Sequence, residues 1–129
     1  MSPVSRIVSV LIVAMLFAMV PSIDANSGGK IGQSSSGCNC HSTTAMIVPT
    51  ITGLPSAYSP GVTYSLSWTS SSMSSSGQGG FNLDVTAGTW SNLGTRVQTM
   101  GGELTHSNDG QRSWTADWTA PSMGTGDVT

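Results

Sequence analysis

A chain of 129 residues suits one domain built around a single hydrophobic core. Only 8% of the residues are charged, against about a quarter in an average protein, yet 37% are hydrophobic and four are Trp, so the chain holds enough apolar surface to fold. The formal net charge is −2, and Lys30, Arg96 and Arg112 are the only basic residues after the first segment, which excludes a phosphate-binding face and with it nucleic acid as a partner.

Residues 1–25 read as a secretory signal peptide. Arg6 gives a basic start, Ile7 to Val20 is apolar apart from Ser9, and Pro21-Ser-Ile-Asp-Ala25 ends on a small residue suited to cleavage. The apolar run falls short of the roughly 20 residues of a comfortable membrane span. An uncleaved anchor is the alternative, and no lipobox cysteine precedes Cys38. The mature chain is expected to begin near Asn26 and to be secreted, extracellular or at the cell surface. It would touch a membrane only through this signal or a C-terminal anchor beyond Thr129.

Residues 26–44 form the next unit. Asn26 to Gly37 is Gly- and Ser-rich with only Ile31 to bury, which predicts a flexible linker. It leads to Cys38-Asn-Cys-His41, which holds the only two cysteines of the chain. Thiolate and imidazole suit zinc, copper and haem iron, so Cys38, Cys40 and His41 are the candidate metal or cofactor residues. A Cys-x-x-Cys-His run attaches haem through two thiols with the His as axial ligand; Cys40-His41 matches and the spacing to Cys38 is one residue short. A copper or zinc site could add His106 or Met46 as a fourth ligand. The structural alternative is a disulfide, either a small strained Cys-x-Cys ring or a bond to a cysteine elsewhere. No other part of the chain calls for a cofactor.

Residues 45–129 read as the folded domain. Ala45 to Ile51 is the first strand, at an edge or bulge because Pro49 lacks a ladder donor. Thr52-Gly-Leu-Pro55 turns. Ser59-Pro-Gly61 then launches a run in which Val62, Tyr64, Leu66 and Trp68 alternate with Thr63, Ser65, Ser67 and Thr69, the period of a strand with one buried face. Ser70 to Gly80 reads as a long loop. Phe81 to Thr86 alternates again with Phe81, Leu83 and Val85 inward, and Thr89-Trp90 begins a short continuation. Arg96 to Met100 is a weak strand that Gly101-Gly102 ends. Leu104 to Ser107 and Gln111 to Trp118 flank Asn108-Asp-Gly110, which predicts a hairpin with positive φ at both turn residues. Trp114, Ala116 and Trp118 share the inner face of the last run, and Pro121 stops it. Gly124 to Thr129 opens like a further strand, so a fragment is expected. A sandwich lacking its last strands would expose an edge and part of its core. Poor solubility of residues 26–129 is the expected outcome; a sharp cooperative melt of a monomer would count against truncation. No helical period appears after the signal, and short strands punctuated by Gly, Pro and Asn predict an all-β, immunoglobulin-like antiparallel sandwich, with a small barrel as the alternative.

Leu54-Pro-Ser-Ala-Tyr-Ser-Pro-Gly-Val-Thr-Tyr64, Gly79-Gly-Phe-Asn-Leu83, Ser113-Trp-Thr-Ala-Asp-Trp-Thr-Ala-Pro121 and Gly124-Thr-Gly-Asp-Val-Thr129, in that order, resemble the Reeler-like domains, and within them the microbial secreted group called choice-of-anchor V. The resemblance covers roughly Cys38 to Thr129. It implies an immunoglobulin-like β-sandwich on a surface or secreted protein, often ahead of a C-terminal anchoring segment. In that group a Cys-x-x-Cys-His-like cluster commonly precedes the sandwich, the place that Cys38, Cys40 and His41 fill with one residue fewer. Members of the group continue past the Gly-Asp-Val-Thr strand.

The remaining polar residues offer little chemistry in sequence. Asp84, Asp109, Asp117 and Asp127 lack the dense spacing of a calcium loop and read as surface groups. Glu103 and His106 stand three apart and face differently in a strand, which argues against an acid–base pair, and His106 reads as a surface residue. Trp68, Trp114 and Trp118 read as core, leaving Trp90 as the outside candidate for stacking on a glycan. No Gly-x-Ser-x-Gly elbow marks a serine hydrolase. The expected function is a non-enzymatic adhesion or structural module with other surface proteins or glycans as partners. The alternative is an extracytoplasmic haem- or metal-binding electron-transfer protein using Cys38, Cys40 and His41.

Overall fold

A computed structural model describes residues 26–37, 47–72 and 78–129. The signal segment 1–25, Met46 and the cluster Cys38, Cys40 and His41 lie outside the described residues. The elements in chain order are β1 (Ile47–Thr52), β2 (Thr63–Ser72), β3 (Asn82–Leu83), β4 (Thr89–Ser91), β5 (Val97–Met100), β6 (Glu103–His106) and β7 (Ser113–Thr119). A four-stranded sheet in the order β1-β2-β7-β4 faces a three-stranded sheet in the order β3-β6-β5, and every pairing is antiparallel. The expected all-β sandwich is what forms. Four strands over three is the layering of an immunoglobulin constant domain, visited here in a different chain order.

The alternation read in β2 and β7 builds the core. Leu66 and Trp68 of β2 sit beside Ala116 and Trp114 of β7 in register, and all four are buried. Leu104 of β6 closes the interior from the other sheet at 0% exposure, and Ala120 joins the same cluster. Phe81 bridges the layers. Its ring centroid lies 4.9 Å from that of Trp68 and 4.8 Å from that of Trp114, so three aromatic rings fill one end of the sandwich. Ser65, Asp117, Thr63 and Thr119 stand on the wet face, where Ser65 Oγ donates to Asp117 at 2.7 Å and the two threonine hydroxyls lie 2.8 Å apart. Such cross-strand polar pairs hold register on a solvated face.

Several expected boundaries move. Val62 lies before β2 and is 43% exposed, so the inward series begins at Tyr64. β2 runs on through Ser72, into the expected loop, because β1 pairs with it as far as Ile47 opposite Ser72 and because Ser70 N–H donates to Arg112 C=O. Only Asn82 and Leu83 of the Phe81–Thr86 run form a ladder; Phe81 and Val85 still pack against the core.

The Asn108-Asp-Gly110 hairpin does not form. β6 and β7 belong to different sheets, and the segment between them crosses the sandwich. β6 already has a partner on each edge, β3 and β5, so no edge is left for β7. Neither Asp109 nor Gly110 takes a positive φ; Asn108 Oδ1 instead accepts from Gly110 N–H at 2.9 Å, and Asp109 C=O accepts from Gly79 N–H at 2.7 Å. The two-residue hairpin sits earlier, between β5 and β6. Met100 pairs with Glu103 across Gly101-Gly102, whose φ values of 59° and 95° match a turn that demands positive φ at both positions.

Residues 26–33, expected to be a free linker, are strapped across the outer face of the three-stranded sheet. Asn82, Thr105 and Gln98 lie side by side there on β3, β6 and β5, and each bonds the backbone of the strap. Gln33 N–H donates to Asn82 Oδ1 at 2.7 Å, Lys30 N–H to Thr105 Oγ1 at 3.1 Å, and Gln98 Nε2 to Gly28 C=O at 2.6 Å. Gly32 N–H points at the Glu103 carboxylate, 3.0 Å from its nearer oxygen, and that carboxylate also accepts from Asn82 Nδ2. Composition alone gives no hint of this docking, because the bonds run from side chains of the sheet to main-chain groups of the strap.

Candidate functional site

At the end of the sandwich away from Phe81 the two sheets do not close on each other. Tyr64, Trp118 and Trp90 are opposite one another on β2, β7 and β4, and Trp118 and Trp90 form the floor there. The Tyr64 ring stacks on Trp118 at 5.9 Å, and Tyr58, from the β1–β2 connection, meets Trp118 edge-on at 5.9 Å. Trp118 Nε1–H donates to Ala87 C=O at 3.1 Å, Tyr64 Oη accepts from Ser59 N–H at 2.8 Å, and Tyr58 Oη–H donates to Gly126 C=O at 2.7 Å. These bonds fix the aromatic floor and tie residues 126–129 to the rim. Thr86 N–H donates to Thr129 C=O at 3.0 Å, and Thr129 N–H donates to Thr86 Oγ1 at 3.1 Å.

Between floor and rim lies a cleft of about 580 Å³. Its walls come from Leu54 and Tyr58 of the β1–β2 connection, Leu83 and Val85 at the end of β3, Trp90, and Val128. Two aspartates line it, Asp84 and Asp127, and no lysine or arginine among the described residues does. The volume lies within the range of small-ligand and peptide-anchor pockets, and the lining is apolar with few polar groups, which is the composition of a binding site. As a chemical environment it favours an apolar group that carries positive charge.

The residues singled out from sequence are dispersed. His106 is 9% exposed and buried against the strap, which corrects its reading as a surface residue. Its Nδ1 lies 3.1 Å from Phe81 N and 3.3 Å from Phe81 C=O, and its Nε2 lies 3.0 Å from Asn26 C=O. Both ring nitrogens lie against backbone, of Phe81 and of Asn26. Glu103 turns to the strap and Asn82 instead of to His106. Asp109 accepts from Gln78 Nε2, and Asp117 from Ser65 and Asn92. No group of three or more His, Cys, Asp or Glu able to hold a metal occurs among the described residues. Trp90, the expected outward platform, is half-buried and packs on the core, so its ring lines the cleft instead of standing free on the surface.

The cleft itself was not legible as a site. Its sequence signal is the apolar run Leu54, Pro55, Ala57 and Tyr58 in a connection that composition would make polar, together with two aspartates far apart in the chain. Only the return of residues 126–129 to the end of β3 brings Asp127 to the same cleft as Asp84.

The chain is an antiparallel two-sheet sandwich with an aromatic-floored cleft at one end. The fold is that of a Reeler-like domain. Two structures of the human F-spondin reeler domain share the fold. One is 25% identical with a TM-score of 0.52, over 64% of this chain and 72% of that one. The other is 21% identical with a TM-score of 0.52, over 78% of this chain and 76% of that one. No family model and no curated protein matches the chain.

Proposed function

We propose that this protein is a secreted or cell-surface β-sandwich module of the microbial kind that the sequence resembles, working by adhesion or structural assembly and not by catalysis. The observation that carries this reading is the Reeler-like fold, shared with the reeler domain of human F-spondin; reeler domains are modules of extracellular proteins. The polar side chains of the domain support it, because His106, Glu103 and the Asn82–Thr105–Gln98 row are spent on holding the protein's own backbone. Cells producing the full chain should place the sandwich where added protease reaches it, and should attach to a surface or to partner cells more than cells lacking it. Retention of the protein in the cytoplasm, or attachment unchanged by its loss, would defeat the proposal.

The cluster Cys38, Cys40 and His41 supports the alternative of a haem- or metal-binding electron carrier, on the chemistry of thiolate and imidazole. Protein matured in a host that attaches haem to exported chains is expected to show no Soret band and no stoichiometric copper or zinc. A Soret band removed by Cys40→Ser would move the assignment to an electron carrier.

A further inference from the structure

The cleft has three properties that together describe an occupant. Its walls are apolar, and two hydrophobic side chains stand at it with much of their surface in water, Ile51 at 39% and Leu54 at 56% exposure. Its charge is one-signed, since Asp84 and Asp127 line it while Lys30, Arg96 and Arg112 do not. It also lies between edge strands of opposite sheets. β1 and β3 each pair with a single strand, and Ile51 of β1 and Leu83 of β3 both line it. An edge strand offers unpaired N–H and C=O groups to an incoming chain, and side chains at every second position of that chain point the same way. Thr86 N–H already bonds the backbone of another segment at this rim, the C=O of Thr129.

We propose that the cleft binds an extended peptide segment of a partner protein, which bonds along a sheet edge, turns alternate apolar side chains into the cleft and sets a Lys or Arg against Asp84 and Asp127. This rests on the binding-module reading and names the partner's chemistry. Strand addition draws affinity from the backbone and specificity from pockets for alternate side chains. The two carboxylates supply the charge preference, which steers encounter and rejects acidic segments. A small amphiphilic amine would use the walls and the charge but not the edges.

Trp90 and Trp118 line the cleft, so tryptophan fluorescence reports its filling. The full chain is titrated with three synthetic peptides, each about eight residues of alternating valine and threonine, capped at both ends by lysine, glutamine or glutamate. The lysine peptide is expected to shift the emission and to bind about 10-fold more tightly than the glutamine one, with the glutamate one weakest. The exposed double variant Asp84→Asn/Asp127→Asn is expected to bring lysine and glutamine peptides level, and roughly 0.5 M salt to do the same in the parent protein. Equal binding of all three peptides, no shift with any, or a preference that survives the double variant overturns the proposal. So does dodecylamine binding as tightly as the lysine peptide. Attachment that persists while the cleft ignores every peptide overturns this inference alone and leaves the adhesion reading standing.

Discussion

Trp114→Ala is expected to lower the stability of the sandwich by about 3–5 kcal/mol, the range for removing a large buried aromatic side chain. That is a large share of the roughly 5–15 kcal/mol that holds a typical domain together. Trp114 is 2% exposed, opposite Trp68 on the neighbouring strand, and 4.8 Å from Phe81, whose ring comes from the start of the other sheet. Removing the indole opens a cavity where the two layers are joined, and Phe81 cannot fill it without leaving Trp68, 4.9 Å away. Trp114→Phe should cost much less. Trp114 Nε1 has no hydrogen-bond partner among the described residues, so phenylalanine gives up packing area but no bond. Trp118→Phe should cost more than Trp114→Phe, because it leaves Ala87 C=O without the indole donor held at 3.1 Å. Urea unfolding reads all three. The midpoints should fall in the order Trp114→Phe, Trp118→Phe, Trp114→Ala, at a common slope. A Trp114→Ala stability within about 1 kcal/mol of the parent would mean that the rings do not join the sheets.

Period-two alternation carried the fold, and the limits of the reading follow from what alternation cannot say. In β2 and β7, Leu66, Trp68, Trp114, Ala116 and Trp118 were legible as one buried face because both strands are long and wet on the other side. The edge position of β1 beside β2 was legible as well, since β1 carries Pro49. Pairing was not. Asp109-Gly110 and Gly101-Gly102 are both turn signals, and local chemistry cannot rank them. The sandwich chooses, because β6 can accept only two neighbours and β5 and β3 take both places. β3 shows the opposite failure. Phe81, Leu83 and Val85 do face the core, yet only two residues form a ladder, since burial and strand pairing are separate demands. His106 was misread for a related reason. Histidine is usually exposed, and its burial here depends on the backbone of Asn26, 80 positions away in the chain. The cleft also depends on a long-range contact, between Thr86 and Thr129, which brings Asp127 to the cleft that Asp84 lines.

The strap offers the sharper test of this long-range argument. Gly29→Ala is expected to detach residues 26–33 from the sheet while leaving β2 and β7 in place. Gly29 has a φ of 94°, a conformation that L side chains rarely adopt, and a Cβ there would come within 2.3 Å of His106 C=O and 2.7 Å of Thr105 Cγ2. Neither neighbour can yield cheaply. The carbonyl belongs to β6, and Thr105 is at 0% exposure with its hydroxyl bonded to Phe81 C=O and Lys30 N–H. The strap must therefore lift, and the bonds from Lys30, Gly32 and Gln33 N–H go with it, as do those that Gly28 and Asn26 carbonyls accept. At roughly 0.5–1.5 kcal/mol net for each bond, set against the conformational entropy the strap regains, a loss of about 2 kcal/mol is expected. Hydrogen exchange separates this from a general loosening. The amides of Lys30, Gly32 and Gln33 should lose protection in Gly29→Ala, together with Phe81, whose acceptor is the His106 ring beneath the strap. Those of Leu66 and Ala116 should keep theirs. Unprotected amides at Lys30, Gly32 and Gln33 in the parent protein would show that the strap is not docked. An equal loss across β2 and β7 would show that it is part of the core's own cooperative unit.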